Sequence, residues 1–260
     1  MSEFGAEKRV VISPDPTALA ESVANRLLHR LLKRTRAGIV EHIAVTGGDI
    51  ALAVLAAAGA SPVREKVDWS LVHVWWGNER FVAADSPERN EWQTRRALLD
   101  HIAVPAENIH AVAAADSGLD LDAAADAYAQ ELALFAADGN PWPHFDICLL
   151  GVGSDAHIAS LFPDRAEITV TDRSVLPVRE SPKPPPERVT LTRPVINSAA
   201  RVWLVLAGSD KASALGLALA GASYTNVPAG GAKGTKRTIF FVDAAAAERV
   251  PAELIDQEYY

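Results

Sequence analysis

Phe145-Asp146-Ile147-Cys148-Leu149-Leu150-Gly151-Val152-Gly153-Ser154-Asp155-Ala156-His157 is an apolar run followed by a polar exit, and its reading decides the fold. The first six residues form a buried strand bounded by turn residues. Two glycines then release the chain, and a carboxylate and an imidazole follow, two residues apart. Open α/β sheets bind ligands outside the carboxyl ends of their strands, so this exit suits chemistry. A carboxylate beside a histidine orients the ring, selects its tautomer and stabilises its cation, which makes a general base. The competing reading makes Asp155 only the cap of a following helix. A histidine beside the cap adds nothing to capping, and several other strands end in similar polar clusters.

Outward from this strand, short β-type runs alternate with Ala/Leu-rich helical stretches, the pattern of a mostly parallel sheet covered by helices. Strands are expected at 9–13, 39–45, 71–76, 174–178, 189–191, 201–207 and 237–242. Helices are expected at 16–33, 50–58, 91–100, 121–137 and 212–219, the first with Leu19, Val23, Leu27 and Leu31 at helical spacing. Gly-Ser-Asp recurs at 153–155 and 208–210 without any repeat around it, as two similar strand exits. Ser181-Pro182-Lys183-Pro184-Pro185-Pro186 is too short for a linker and reads as a surface loop. The expectation is one α/β domain over 1–260, a Rossmann-like open sheet flanked by helices.

With 49% hydrophobic residues the 260-residue chain has ample material for a core. Its formal charge of −8 gives no sign of a nucleic-acid or membrane surface, so an anionic ligand needs local basic residues. The single cysteine, Cys148, lies inside an apolar strand, which excludes a disulfide within the chain and a Cys-based zinc site. Residues 1–9 lack the apolar core of a secretory signal and no run is long enough to span a bilayer, so a cytoplasmic location is expected.

Four expected strand exits carry polar residues: Thr46-Gly47-Gly48, Gly77-Asn78-Glu79-Arg80, Ser154-Asp155-Ala156-His157 and Ser209-Asp210-Lys211. In a doubly wound sheet such exits can converge on one crevice. A Thr-Gly-Gly turn entering a helix offers backbone N–H groups and a positive dipole end to an anion such as phosphate. Arg80 and Lys211 add charge, one as a planar fork and the other as a point charge. Taken together these residues describe an enzyme acting on a small phosphorylated substrate.

The chain resembles the 6-phosphogluconolactonases, within the wider group that includes glucosamine-6-phosphate deaminases. The resemblance is carried by Thr46-Gly47-Gly48, Trp76-Gly77-Asn78-Glu79-Arg80 with Ser86 and Asn90, and Gly151 through Pro163. Pro184-Pro185-Pro186-x-Arg188-Val189-Thr190-Leu191-Thr192, Pro194-Val195-Ile196-Asn197 and Gly208-x-x-Lys211 complete it. Ala159-Ser160-Leu161-Phe162-Pro163 is the most specific part, because the deaminases typically continue differently after the histidine. The resemblance implies hydrolysis of 6-phosphoglucono-1,5-lactone in the oxidative pentose phosphate pathway. It implies His157 as the base that activates water, Asp155 as its partner, and Arg80 as a group that binds or positions the anionic substrate. Thr46, Gly47, Gly48, Arg188 and Lys211 would hold the phosphate. No metal or cofactor is expected, since a lactone is an activated ester and the sequence offers no His-x-x-x-His or Cys cluster. The expected partner is a phosphorylated sugar lactone, not nucleic acid or membrane, and the expected assembly is a monomer or small homo-oligomer. His29, His42, His73, His101, His110 and His144 lack a carboxylate partner at a strand exit and read as structural.

Three positions depart from the family pattern: Asn78 stands where an aspartate is usual, Ala156 where glycine is usual, and Asp49 where serine or glycine is usual. Asn78 removes a charge at constant shape, Ala156 enters Gly-like conformations less readily, and Asp49 brings a negative charge to the cradle unless it caps the next helix. Two other functions remain open: an isomerase or deaminase of the same fold, and a sugar-phosphate sensor that has lost catalysis.

Overall fold

Seven parallel strands carry the molecule in a computed structural model that describes residues 8–248, 250 and 255. The chain runs β1 (Lys8–Ser13), α1 (Pro16–Arg36), β2 (Glu41–Val45), α2 (Asp49–Ala60), β3 (Val72–Trp76), β4 (Asn78–Arg80), α3 (Asn90–Ala97), β5 (Ile109–His110) and α4 (Leu121–Leu134). It continues through β6 (Phe145–Gly151), β7 (Val175–Val178), β8 (Arg188–Leu191), α5 (Arg193–Ser198), β9 (Arg201–Leu206), α6 (Ala212–Leu219) and β10 (Arg237–Asp243). The parallel sheet has the order β1-β10-β9-β6-β2-β3-β5, and β4-β8-β7 form a small antiparallel sheet. From β2 the chain steps one way, to β3 and β5; from β6 it steps the other way, to β9 and β10. The neighbouring strands β2 and β6 therefore flank a topological switch point, where connections leave in opposite directions and a crevice opens.

Both faces of the sheet are buried. Ile147 and Leu149 of β6 join Val45, Trp76 and Val205 against α1 and α2, while Phe145, Cys148 and Leu150 join Trp75, Leu204 and Phe240 on the other face. The switch of face after Phe145 follows from a bulge: His42 pairs with Phe145, but Ile43 pairs with Ile147. Asp146, freed by the bulge, accepts the His42 N–H at 3.2 Å. Helix α1 begins where Asp15 caps it, accepting from Ala18 N at 2.9 Å, with Pro16 in the first turn. Its Leu19, Val23, Leu27 and Leu31 are fully covered, each burial contributing about 1.5–3 kcal/mol.

The expected strands and helices all occur, with ends shifted by a few residues. One correction bears on function. Residues 78–80 are not an exit but a strand, β4, antiparallel to β8. Gly77 joins the two sheets: its N–H donates to Val45 O at 2.7 Å in the large sheet, and its carbonyl accepts from Leu191 N at 2.9 Å in the small one. Three residues are too few to show periodicity, and their partner strand lies far along the chain. The two-residue β5 and the six-residue α5 are likewise too short to show a period in the sequence.

Candidate active site

The Asp155–His157 exit is a tight closed loop. Gly153 N donates to His157 O at 3.0 Å and Ala156 N to Gly153 O at 2.9 Å. No helix follows β6 directly, so Asp155 caps nothing. Its Oδ1 lies 2.6 Å from His157 Nδ1, which leaves the ring's Nε2 to face water or a ligand. The imidazole packs on the buried Phe162 ring at 4.6 Å between centroids. Burial, reinforced by the charges of Lys183 and Arg188, outweighs the Asp155 hydrogen bond and holds His157 below the ordinary imidazole value. Burial opposes ionisation of Asp155, but the bond to His157 and the Lys183 charge win, keeping the carboxyl well below its ordinary range. The pair at neutral pH is a neutral imidazole beside a carboxylate, the resting state of a general base. Gly153 is demanded by this closeness: a Cβ there would collide with His157 Nδ1 and Asp155 Oδ1.

The Thr46-Gly47-Gly48 turn after β2, Arg80 on β4, His157 after β6, Arg188 on β8 and Lys211 after β9 all line one cavity of about 880 Å³. Asp155 supports it from behind the imidazole. Gly48, at φ +99°, is the N-cap of α2 and provides no side-chain cap, and the first turn of that helix lines the cavity, so its N–H groups are free for an anion there. Arg80 and Arg188 are directly paired across the antiparallel ladder. Like charges so placed repel; burial first, and Arg80 second, push Arg188 down to about 10. Such an arrangement suits an anion lying between the two side chains. Arg188 also donates from Nη2 to the carbonyls of Lys183 and Pro184 and from Nε to Pro185 O, at 2.9–3.2 Å, so it anchors the proline-rich strap as well. Lys211 pairs with Asp210 at 2.8 Å.

Asn78 does not face the cavity alone; it ties the site's elements together. Its Oδ1 accepts from Thr46 Oγ1 at 2.6 Å and its Nδ2 donates to Ser160 Oγ at 2.9 Å. Ser160 N in turn donates to Thr190 Oγ1 at 3.1 Å. One amide thus joins β2, β4, the histidine loop and β8. Ala156 does adopt the glycine-like conformation, at φ +67°, with its methyl buried; about 1–2 kcal/mol of strain attends such a residue. Asp49 is not the cap of α2 but its first residue, exposed on the cavity wall.

Sequence reasoning missed three groups. Lys183 lines the cavity and sits 3.4 Å from Asp155 Oδ1; by sequence alone the proline stretch reads only as a surface loop. Glu79 is fully buried and accepts the N–H groups of Arg80, Asn90 and Glu91 at 2.7–2.8 Å, bracing both Arg80 and the start of α3. Burial pushes its carboxyl up to about 7 against Arg89 and those three donors. Asn90 holds Asn78 O at 2.9 Å, and its Oδ1 occupies the space a Gly47 side chain would need. All three lie in stretches the sequence singles out, but none carries a local sign of its role in the site. Of the other histidines, His110 and His144 have carboxylate partners, Glu131 at 2.7 Å and Asp138 at 2.6 Å, but neither lines the cavity. Among the described residues no group of three or more His, Cys, Asp or Glu could hold a metal ion, and no helix is long and apolar enough to cross a membrane.

Comparison with known proteins decides the family. Residues 14–241 match the family model described as glucosamine-6-phosphate isomerases/6-phosphogluconolactonase. The chain belongs to this family. Among its members, the 6-phosphogluconolactonase of Streptomyces coelicolor is 44% identical over 250 residues, covering 95% of this chain and 96% of its own. That of Mycobacterium tuberculosis is 42% identical over 245 residues, covering 94% and 98%. The solved 6-phosphogluconolactonase from Trypanosoma brucei superposes with a TM-score of 0.80 at 26% identity, over 95% of this chain and all of the other. A monomeric glucosamine-6-phosphate deaminase shares the fold at TM-score 0.75 and 18% identity, over 92% of this chain and 99% of its own.

Proposed function

We propose that this protein hydrolyses 6-phosphoglucono-1,5-lactone to 6-phosphogluconate with His157 as general base and without a metal. The protein is a hydrolase of the lactonase kind, on the strength of relatives so named at high identity and coverage. One observation carries the detailed reading. A histidine–carboxylate pair and the cations Arg80, Lys183, Arg188 and Lys211 surround a single cavity next to a helix start.

In this mechanism Thr46, Gly47 and Gly48, with Arg80, Arg188 and Lys211, hold the phosphate and place the lactone carbonyl near His157. The oxygen of a water molecule bonds to the carbonyl carbon while its proton passes to Nε2. Asp155 stabilises the imidazolium through Nδ1. The tetrahedral oxyanion then collapses, re-forming C=O and breaking the bond to the ring oxygen, which takes the proton from Nε2. A lactone is activated enough for this base-catalysed route, so no Lewis acid enters any step. The test is hydrolysis of freshly generated 6-phosphogluconolactone, above its spontaneous background, beside unphosphorylated gluconolactone and with a chelator present. A strong preference for the phosphorylated lactone, undiminished by chelator, is expected; equal rates on both substrates, or none above background, would sink the proposal.

A further inference from the structure

The proline-rich strap between β7 and β8 is built to hold one side chain over the dyad. Its backbone is fixed from below and within: Arg188 takes the carbonyls of Lys183, Pro184 and Pro185. Ser181 N donates to Pro186 O at 2.9 Å and Lys183 N to Ser181 Oγ at 3.3 Å. The Lys183 side chain itself is unfixed except at its tip, whose Nζ lies 3.4 Å from Asp155 Oδ1. That oxygen is the one His157 Nδ1 contacts at 2.6 Å. One carboxylate oxygen is therefore shared between the ring and an ammonium on a different element of the fold.

We propose that Lys183 is a positioning residue of this site. Its ammonium holds the Asp155 carboxylate in the rotamer that serves the His157 ring, and it sets the charge against which that ring takes up a proton. Asp155 sits on a loop whose neighbour Ala156 is in the left-handed region, and no helix follows to fix it by capping. Apart from Nδ1 and Lys183 it accepts only the long His157 N–H contact at 3.4 Å, from the same loop, so without Lys183 nothing outside that loop keeps its carboxylate from turning toward solvent. The groups facing the imidazole are Asp155, Lys183, Arg188 and the Phe162 ring. Asp155 favours the imidazolium; Lys183 and Arg188 oppose it, on top of burial. Arg188 is committed to the strap carbonyls, so Lys183 is the cation able to follow events at the carboxylate.

This inference rests on the general-base reading above, but its test does not need the lactone. The titration of His157 is followed by NMR on the whole protein with ¹³C-labelled histidine rings, in wild type and in Lys183→Met, Lys183→Gln and Lys183→Arg. Removing the ammonium should move the His157 midpoint downward by about half a pH unit or more, because the Asp155 bond and charge that raise it, lost as the carboxylate turns away, outweigh the opposing Lys183 charge. Lys183→Arg should leave it where it is. In the lactone assay, kcat of the Met and Gln variants should fall about tenfold with KM little changed, and the acid limb of the kcat profile should shift with the NMR midpoint. An unmoved or raised His157 midpoint in both neutral variants would overturn the proposal, as would an equal shift in Lys183→Arg. So would a rise in KM confined to the phosphorylated lactone with kcat intact, which would make Lys183 a phosphate ligand instead. If the midpoint shifts as expected but wild-type protein hydrolyses no lactone, the lactonase reading fails and the positioning role stands.

Discussion

Two of the histidine–carboxylate pairs in this molecule have nearly the same geometry and different surroundings. His157 Nδ1 meets Asp155 at 2.6 Å, and His110 Nδ1 meets Glu131 at 2.7 Å. What differs is the second nitrogen. His110 Nε2 is spent on His73 Nδ1 at 2.9 Å, and the His110 ring lies flat on Trp75 at 3.7 Å between centroids. His73 stacks in turn on His42, whose Nδ1 accepts from the Trp75 indole at 3.1 Å. His42 and His73 lie near the starts of β2 and β3, and Phe135, just after α4, is edge-on to the rings of the stack. His157 lies at the carboxyl ends of the strands, with Nε2 left to the cavity and cations nearby. A histidine–carboxylate pair is therefore a catalytic device only where the far nitrogen meets space and the surroundings meet a substrate. Elsewhere it is a way of burying an imidazole with its hydrogen bonds satisfied.

The comparison is broken or sharpened most strongly by truncating both rings. His157→Ala should lower kcat by about 10²–10⁴-fold with the melting temperature nearly unchanged. His110→Ala should cost about 2–4 kcal/mol of stability by leaving a cavity and an unpaired His73 nitrogen, while kcat of the folded fraction stays near wild type. Thermal unfolding and kcat measured on both variants decide it; a His157→Ala enzyme with near-normal turnover would remove the dyad from the mechanism.

Gly153→Ala comes next. The added methyl must push the Asp155–His157 pair apart, and a displacement of about 1 Å in reacting groups costs on the order of 10²-fold. The loss should appear in kcat, with a native circular dichroism spectrum. Retained activity would show that the pair need not touch.

Acid should act on the stack through stability and on the dyad through rate. His42, His73 and His110 are all held below the ordinary imidazole value, chiefly by burial, and His42 is pushed down to about 3. The unfolded chain takes up these protons near pH 6.5, the folded chain only at lower pH. Their effect is absent above about pH 6.5, and stability falls as pH drops below it, by up to about 1.4 kcal/mol per pH unit for each group titrating only in the unfolded chain. Urea unfolding at pH 7.5, 6.5 and 5.5 reads the sum of this loss and the opposite gain from Glu79, whose raised carboxyl takes up its proton in the folded chain first; a flat profile in Glu79→Gln would mean the stacked rings titrate as they do in the unfolded chain. The acid limb of kcat/KM, by contrast, should fall at a midpoint below 6.5, because His157 is also lowered.

The smallest effect is expected at Asn78. In Asn78→Asp the carboxylate can still accept from Thr46, and Ser160 can rotate its hydroxyl to donate where it now accepts. The change in kcat/KM should stay under about tenfold, or roughly 1.4 kcal/mol. A hundredfold gain would instead mark the present site as degraded and favour the sensor reading.

Much of this was legible in the chain because it is local. Apolar runs long enough to be buried on both faces give away β6 and its parallel neighbours, and the Asp155–His157 spacing places both groups on one short loop. The Thr46-Gly47-Gly48 turn announces itself by two glycines, one of them at a positive φ that only glycine adopts freely. What could not be read there depends on pairing between distant segments. Residues 78–80 become a strand only because β8 lies beside them, and that pairing sets Arg80 opposite Arg188. Lys183 reaches Asp155 only because Arg188 draws the proline-rich strap down, and His110 is silent only because His73 and Trp75 fill its surroundings. Backbone preferences and hydrophobic period act over a few residues and leave their mark in sequence. Which nitrogen faces a cavity and which cation shares an oxygen are set by strand order, which no local pattern encodes.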